Sequence, residues 1–185
     1  MSCVAPVFVE AEVRLTVTVV IVLYRMEFAQ SPAYQSVMAA RAMLSSDLGN
    51  VHVLLWDNSP GNGGVNDLPE GVAYFPDESN SGLATAYNRA IEWATQKGSE
   101  WLSTLDQDTA VPDDFFVKMA AAAHASTRYA GIGAIVPQIV AGGKHLSPNY
   151  FQFGAIPRWY RTGFVGVPRE PVFAFNSGAM LKPTD

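Results

Sequence analysis

The chain reads as an α/β protein with a mainly parallel central sheet flanked by helices. Three observations predict this fold class. Apolar, β-branched runs alternate with stretches of helical periodicity, the first run over 16–23 is apolar at nearly every position, and acidic or turn-forming residues follow the runs directly. Strands separated by helices of ten or more residues connect by right-handed crossovers, which lay neighbouring strands parallel. A strand without polar alternation is one that helices cover on both faces.

Each element has its own warrant. Thr16-Val17-Thr18-Val19-Val20-Ile21-Val22-Leu23 is the first strand. A helix follows over 31–48, with Ser31-Pro32 as cap and first position and Gly49 as its stop. Val51-His52-Val53-Leu54-Leu55-Trp56 forms the second strand, closed by the turn formers from Asp57 to Gly64. Val72-Ala73-Tyr74-Phe75 is a short third strand, ended by Pro76. Ala86, Ala90, Ile91 and Ala94 recur at helical spacing within 83–97, and Gly98 stops that helix. The fourth strand runs from Trp101 to Leu105. Pro112 and Asp113 open a further helix through Phe116, Met119, Ala120 and Ala123, and 132–140 reads as a fifth strand. Between Ala141 and Pro171, glycines, prolines and aromatics lack helical periodicity. Val172-Phe173-Ala174-Phe175 then reads as a strand running into Asn176-Ser177-Gly178.

With 185 residues, 49% of them hydrophobic, the chain suits one domain over 15–185 preceded by an N-terminal extension over 1–14. A net charge of −5 argues against nucleic-acid binding, which clustered basic residues drive. Cys3 is the only cysteine, so an intrachain disulfide and a thiolate metal cluster are excluded, and a reducing compartment fits. The longest apolar stretch, 17–24, is well short of the roughly 20 residues that span a bilayer.

The chemistry concentrates at Leu105-Asp106-Gln107-Asp108-Thr109. Two carboxylates one residue apart at the end of a strand lie where open α/β sheets bind ligands. Such a pair suits magnesium or manganese, hard cations held by one or two carboxylates together with substrate phosphates. The bland reading of the pair is the polar turn of an ordinary strand end, and the mutual repulsion of two close carboxylates, which a cation relieves, weighs against it. Asp57 ends another strand, and a parallel sheet brings it to the same rim; its bland reading is an Asx turn. Asn80-Ser81-Gly82 opens a helix with small residues that allow close approach, or serves simply as a cap and turn. His52, His124 and His145 have no mutual spacing that makes a metal site. Arg158, Trp159, Tyr160 and Arg161 read as a hairpin with solvated charges ahead of an acceptor- or phosphate-facing loop.

The order of these motifs resembles the family 2 glycosyltransferases of the GT-A fold, especially their rhamnosyltransferase-like members. The matching residues are Val19 to Tyr24, then Trp56-Asp57-Asn58-Ser59, then Asn80-Ser81-Gly82 with Ala86 and Asn88, then Leu105-Asp106-Gln107-Asp108, and last Asn176-Ser177-Gly178. The resemblance implies a nucleotide-diphospho-sugar transferase fold and inverting transfer to a saccharide or lipid-linked acceptor. It implies that Asp106 and Asp108 form a DXD-type motif for a divalent cation, Mg or Mn. Asp108 would coordinate the cation, Asp106 would lie near the ribose, and Asp57 would hydrogen-bond the pyrimidine. Tyr24, Asn80, Gly82 and Asn88 would belong to the nucleotide-sugar site, and Asn176, Ser177 and Gly178 would sit by the sugar and acceptor.

The donor expected from the Asp-Gln-Asp-Thr run is a deoxyhexose such as rhamnose on dTDP, with UDP-sugars left open. In similar enzymes the catalytic base lies well downstream of the small-residue strand. The sequence stops at Asp185, so a chain shortened at its C-terminus, without that base, is the expectation. The donor class places the protein in the cytoplasm, and a lipid-linked acceptor would bring it to the inner face of the membrane. A sugar-nucleotide nucleotidyltransferase is the alternative enzyme, but Tyr24-Arg25-Met26-Glu27-Phe28 lacks the glycine-rich loop a triphosphate needs. A non-catalytic nucleotide- or metal-binding module, receiver-like or a fragment of a larger transferase, is the other alternative.

Overall fold

The computed structural model describes residues 14–61, 65, 67–161 and 163–183, so most of the N-terminal extension lies outside the described residues. The first strand, β1 (Leu15–Leu23), is followed by a 3-10 turn (Phe28–Gln30) and α1 (Pro32–Met43). Then come β2 (Gly49–Asp57), β3 (Val72–Pro76), α2 (Leu83–Gln96), β4 (Trp101–Asp106) and α3 (Phe115–Ser126). Short strands complete the chain: β5 (Ala134–Ile135), β6 (Ile139–Ala141), β7 (Lys144–Ser147), β8 (Asn149–Gln152), β9 (Ile156–Trp159), β10 (Val172–Phe173) and β11 (Met180–Leu181).

The main sheet has the order β3-β2-β1-β4-β11-β5. Its first four strands are parallel, and β11 joins antiparallel to β4 and β5. Strand order reverses at β1, which has β2 on one side and β4 on the other. Such a switch point leaves a crevice beyond the carboxyl ends of the strands.

The apolar first strand does what its composition dictates. Val17, Val19 and Ile21 face a core built with Val37 and Ala40 of α1 and Phe116 and Met119 of α3. Val20 and Val22 face the other way, against Ala86, Ala90 and Ala94 of α2. Alanines four residues apart let α2 lie close to the sheet, which carries its N-terminal end toward the crevice.

Several expected boundaries move. The first helix stops at Met43, and Ser45 O accepts the N–H groups of Leu48 and Gly49 in a turn, because Ser45-Ser46-Asp47 favours turns over helix. Gly49 therefore begins β2, where a Cβ would strike the carbonyl oxygen of Leu15. The third helix begins at Phe115, after a turn closed by Phe115 N–H to Pro112 O at 2.9 Å. The expected strand over 132–140 is split into β5 and β6 around Pro137, which has no N–H to give a ladder. The strand expected over 172–175 is only Val172–Phe173, and it pairs with β8 in a separate three-stranded sheet. It is Met180–Leu181 that enters the main sheet, after Gly178 (φ 79°) turns the chain. The segment holding Arg158 and Trp159 is a hairpin strand, with Arg158 Nε donating to Gln152 Oε1 at 2.9 Å.

Candidate functional site

Register brings the polar strand ends together. Leu23 pairs with Asp57, Val22 with Asp106, and Asp57 with Pro76, so the residues after β1, β2, β3 and β4 emerge at one rim. An open cleft of about 460 Å³ lies there, lined by Val22, Tyr24, Asn58, Asn80, Gly82, Leu83, Asp106, Gln107 and Asp108. This volume lies within the roughly 300–1,000 Å³ usual for small-molecule sites.

The carboxylate turn is held from three sides. Gln107 O accepts from Ser31 Oγ (2.7 Å) and Ala33 N–H (3.2 Å) at the start of α1, and Gln107 Oε1 accepts Tyr24 N–H at 2.8 Å. The third support is the Asn176-Ser177-Gly178 segment. Thr104 Oγ1 donates to Asn176 O at 2.7 Å, and Gly178 N–H donates to Thr104 O at 2.7 Å. Buried Ser177 accepts Asp106 N–H at 3.3 Å and shares a 2.6 Å hydrogen bond with Thr109 Oγ1. Asp106 is half-buried and Asp108 exposed.

The second wall is the loop into α2. Asn80 (φ 49°) and Gly82 (φ 87°) both lie on the left-handed side, which Asn tolerates and Gly takes without cost. Asp77 organises the turn: its carboxylate accepts the N–H and hydroxyl of Ser79 and those of Ser81. Those bonds, the Ser79 hydroxyl first and then that of Ser81, hold its pKa at about 2. Asn176 Nδ2 donates to Tyr87 Oη at 2.8 Å, which links the Asn176-Ser177-Gly178 segment to α2. Burial, and next the charge of Asp106, raise the pKa of Tyr87 above its ordinary value.

Of the residues singled out in the sequence, Tyr24, Asn80, Gly82, Asp106 and Asp108 line the cleft. Asp57 does not. It is 1% exposed, and its carboxylate accepts Ser59 N–H at 2.8 Å and the Tyr74 hydroxyl at 2.5 Å. Ser59 Oγ in turn accepts Arg25 N–H at 2.7 Å, so Asp57 shapes the chain beside Tyr24 from behind. Its neighbour Asn58, fixed by Trp56 Nε1 at 2.9 Å, faces the cleft instead. Asn88 is exposed on α2 away from the lining, and Asn176, Ser177 and Gly178 brace β4 rather than line the cleft.

Sequence reasoning missed Asn58, Gln107, Asp77 and Tyr87. Asn58 and Gln107 stood inside motifs already recognised, and their positions beside Asp57 and between the two carboxylates were the available signal. Asp77 could have been found from the Asp-x-Ser-x-Ser spacing, which offers one carboxylate two hydroxyls.

Among the described residues no group of three or more His, Cys, Asp or Glu side chains could hold a metal. Asp106 and Asp108 thus offer a two-carboxylate, all-oxygen donor set. That set fits a hard cation completing its shell with phosphate oxygens and water, and does not fit a closed, protein-only metal cage.

Residues 41–182 match the sequence model of the family described as glycosyl transferase family 2. No curated protein matches this chain.

Proposed function

Because the chain belongs to glycosyl transferase family 2 and has its GT-A-type α/β fold, we propose that the cleft holds the donor of an inverting glycosyl transfer. The donor is a sugar on a nucleoside diphosphate, with dTDP-linked rhamnose first and UDP-sugars second. The acceptor is a saccharide, free or lipid-linked. The observation that carries this reading is the meeting of Tyr24, Asn80, Gly82, Asp106 and Asp108, from separate stretches of chain, at one cleft on the switch point of the sheet.

The residues divide the work. Asp106 and Asp108 hold Mg or Mn, which when bound supplies Lewis-acid stabilisation to the departing diphosphate. Ser177 and Gln107 keep that pair in place, so little reorganisation is left for the moment of reaction. Tyr24 and Asn58 form the nucleoside end, and the Asn80–Gly82 loop closes the side where the sugar lies. Inversion also needs a base opposite the leaving group to take the acceptor proton. Asp106 and Asp108 are the only carboxylates among the described cleft-lining residues, and both serve the cation, so no residue is assigned as base.

Among the described residues no helix is long and apolar enough to cross a membrane. Reaction in the cytoplasm, at the inner membrane face when the acceptor is lipid-linked, follows from the donor class. The test is release of dTDP or UDP from the sugar nucleotides with manganese, by wild type and Asp108→Ala. Release that needs both metal and Asp108 is expected; release unaffected by the substitution overturns the assignment of the carboxylate pair.

A further inference from the structure

Gln107 has a role that its position between two carboxylates conceals. A backbone N–H can only donate, so the 2.8 Å contact with Tyr24 N–H fixes which end of the Gln107 amide faces β1: it is Oε1. The Nε2 group, with two hydrogens to give, must then point elsewhere. Gln107 lines the cleft, and no described protein atom accepts from its Nε2. The backbone of the same residue is pinned by Ser31 Oγ and Ala33 N–H, so the side chain starts from a fixed base.

The amide therefore lies beside Tyr24, on the residue that joins the two carboxylates, and both Tyr24 and Asn58 line the same cleft. In the donor-site reading, Tyr24 and Asn58 take the nucleoside of a ligand whose diphosphate meets Asp106 and Asp108, which brings that nucleoside beside this amide. We propose that Gln107 is a nucleoside-binding residue, its Nε2 donating to an acceptor oxygen of the pyrimidine or its sugar. This rests on the donor-site reading above.

The distinction to be drawn is between reading the nucleoside and merely positioning the carboxylates. Gln107→Met keeps the length of the side chain and removes the amide. Gln107→Glu removes only the Nε2 donor and keeps an oxygen for Tyr24 N–H, so a loss confined to UDP and dTDP in Gln107→Met but absent from Gln107→Glu assigns the effect to Tyr24 and overturns the proposal. Titrations of UDP, dTDP and inorganic pyrophosphate with manganese, into the full chain of wild type and variant, separate the two roles. Nucleoside reading predicts that UDP and dTDP bind about five- to thirtyfold more weakly to the variant, while pyrophosphate affinity changes less than about twofold. An equal loss for all three ligands makes Gln107 a positioning residue only and overturns the proposal, as does no loss for any. Wild type that binds pyrophosphate but gains nothing from the nucleoside overturns the proposal while leaving the metal site standing. Wild type that binds none of the three overturns both readings. Should Gln107→Met fail to fold, Gln107→Asn, which withdraws the amide by one methylene, must show the same confinement of the loss to UDP and dTDP.

Discussion

Replacing Gly82 with alanine tests how the loop at the start of α2 shapes the cleft. Gly82 sits at φ 87°, ψ 177°, a region essentially closed to residues with a Cβ. A Cβ built there meets no atom within 4 Å, so the cost is one of backbone conformation and not of collision. Holding alanine in this conformation costs about 1–3 kcal/mol. At roughly 2–4 °C per kcal/mol for a domain of this size, Tm falls by about 2–12 °C. The chain relieves that strain only by rotating about Gly82, whose carbonyl accepts Ala86 N–H at 3.2 Å and whose neighbour Ser81 is tied to Asp77. Any such relaxation moves Asn80, Gly82 and Leu83, all of which line the cleft. Scanning calorimetry and UDP titration with manganese should therefore register loss in one or both quantities. Gly98→Ala is the control: Gly98 has φ 66° and open space around it at the far end of α2, so stability falls without a change in UDP affinity. A Gly82→Ala protein with wild-type Tm and wild-type UDP affinity refutes the reasoning.

Two further perturbations address the supports of the site. Ser177→Ala removes the oxygen that Asp106 N–H and Thr109 Oγ1 share, and is expected to cost about 1–3 kcal/mol in urea unfolding and to weaken metal-dependent UDP binding. Asp77 titrates at about 2 against an ordinary 3.8, so its contribution to the loop is complete above about pH 4 and is lost as pH falls through about 2. An NMR titration of its carboxyl carbon should show a midpoint near 2. Asp77→Asn should weaken UDP binding at neutral pH, because the amide cannot accept from both serines as the carboxylate does.

The parallel half of the sheet was legible because its strands are extreme in composition. Little in 16–23 or 51–56 competes with burial on both faces, the buried Thr18 hydroxyl being satisfied by Ser99, and Ser31, Pro32 and Gly98 act locally as cap, first residue and stop. The end of α1 was not legible, because Gly49 signals a helix stop and a close approach to Leu15 equally well, and only packing chooses. Residues 132–181 read poorly for a related reason. Strands of two to four residues carry too little alternation to identify, and β11 exists because Leu102 and Ser103 of β4 and Ala134 and Ile135 of β5 offer partners, not because Met180-Leu181 is strongly strand-forming. At the site, residue type located the carboxylate pair. Which of Asp57 and Asn58 faces the cleft depends on Tyr74, seventeen positions away, whose hydroxyl draws Asp57 inward. No local pattern contains that contact.

The central claim is that Asp106 and Asp108 hold a cation that in turn holds a nucleoside diphosphate. Calorimetric titration of dTDP and UDP into wild type and Asp108→Ala, with and without manganese, tests it most directly. The account predicts binding by wild type that requires manganese and disappears in the variant, with Tm in the absence of ligand unchanged because Asp108 is exposed. Nucleotide binding that is indifferent to manganese, or that survives in Asp108→Ala, contradicts it.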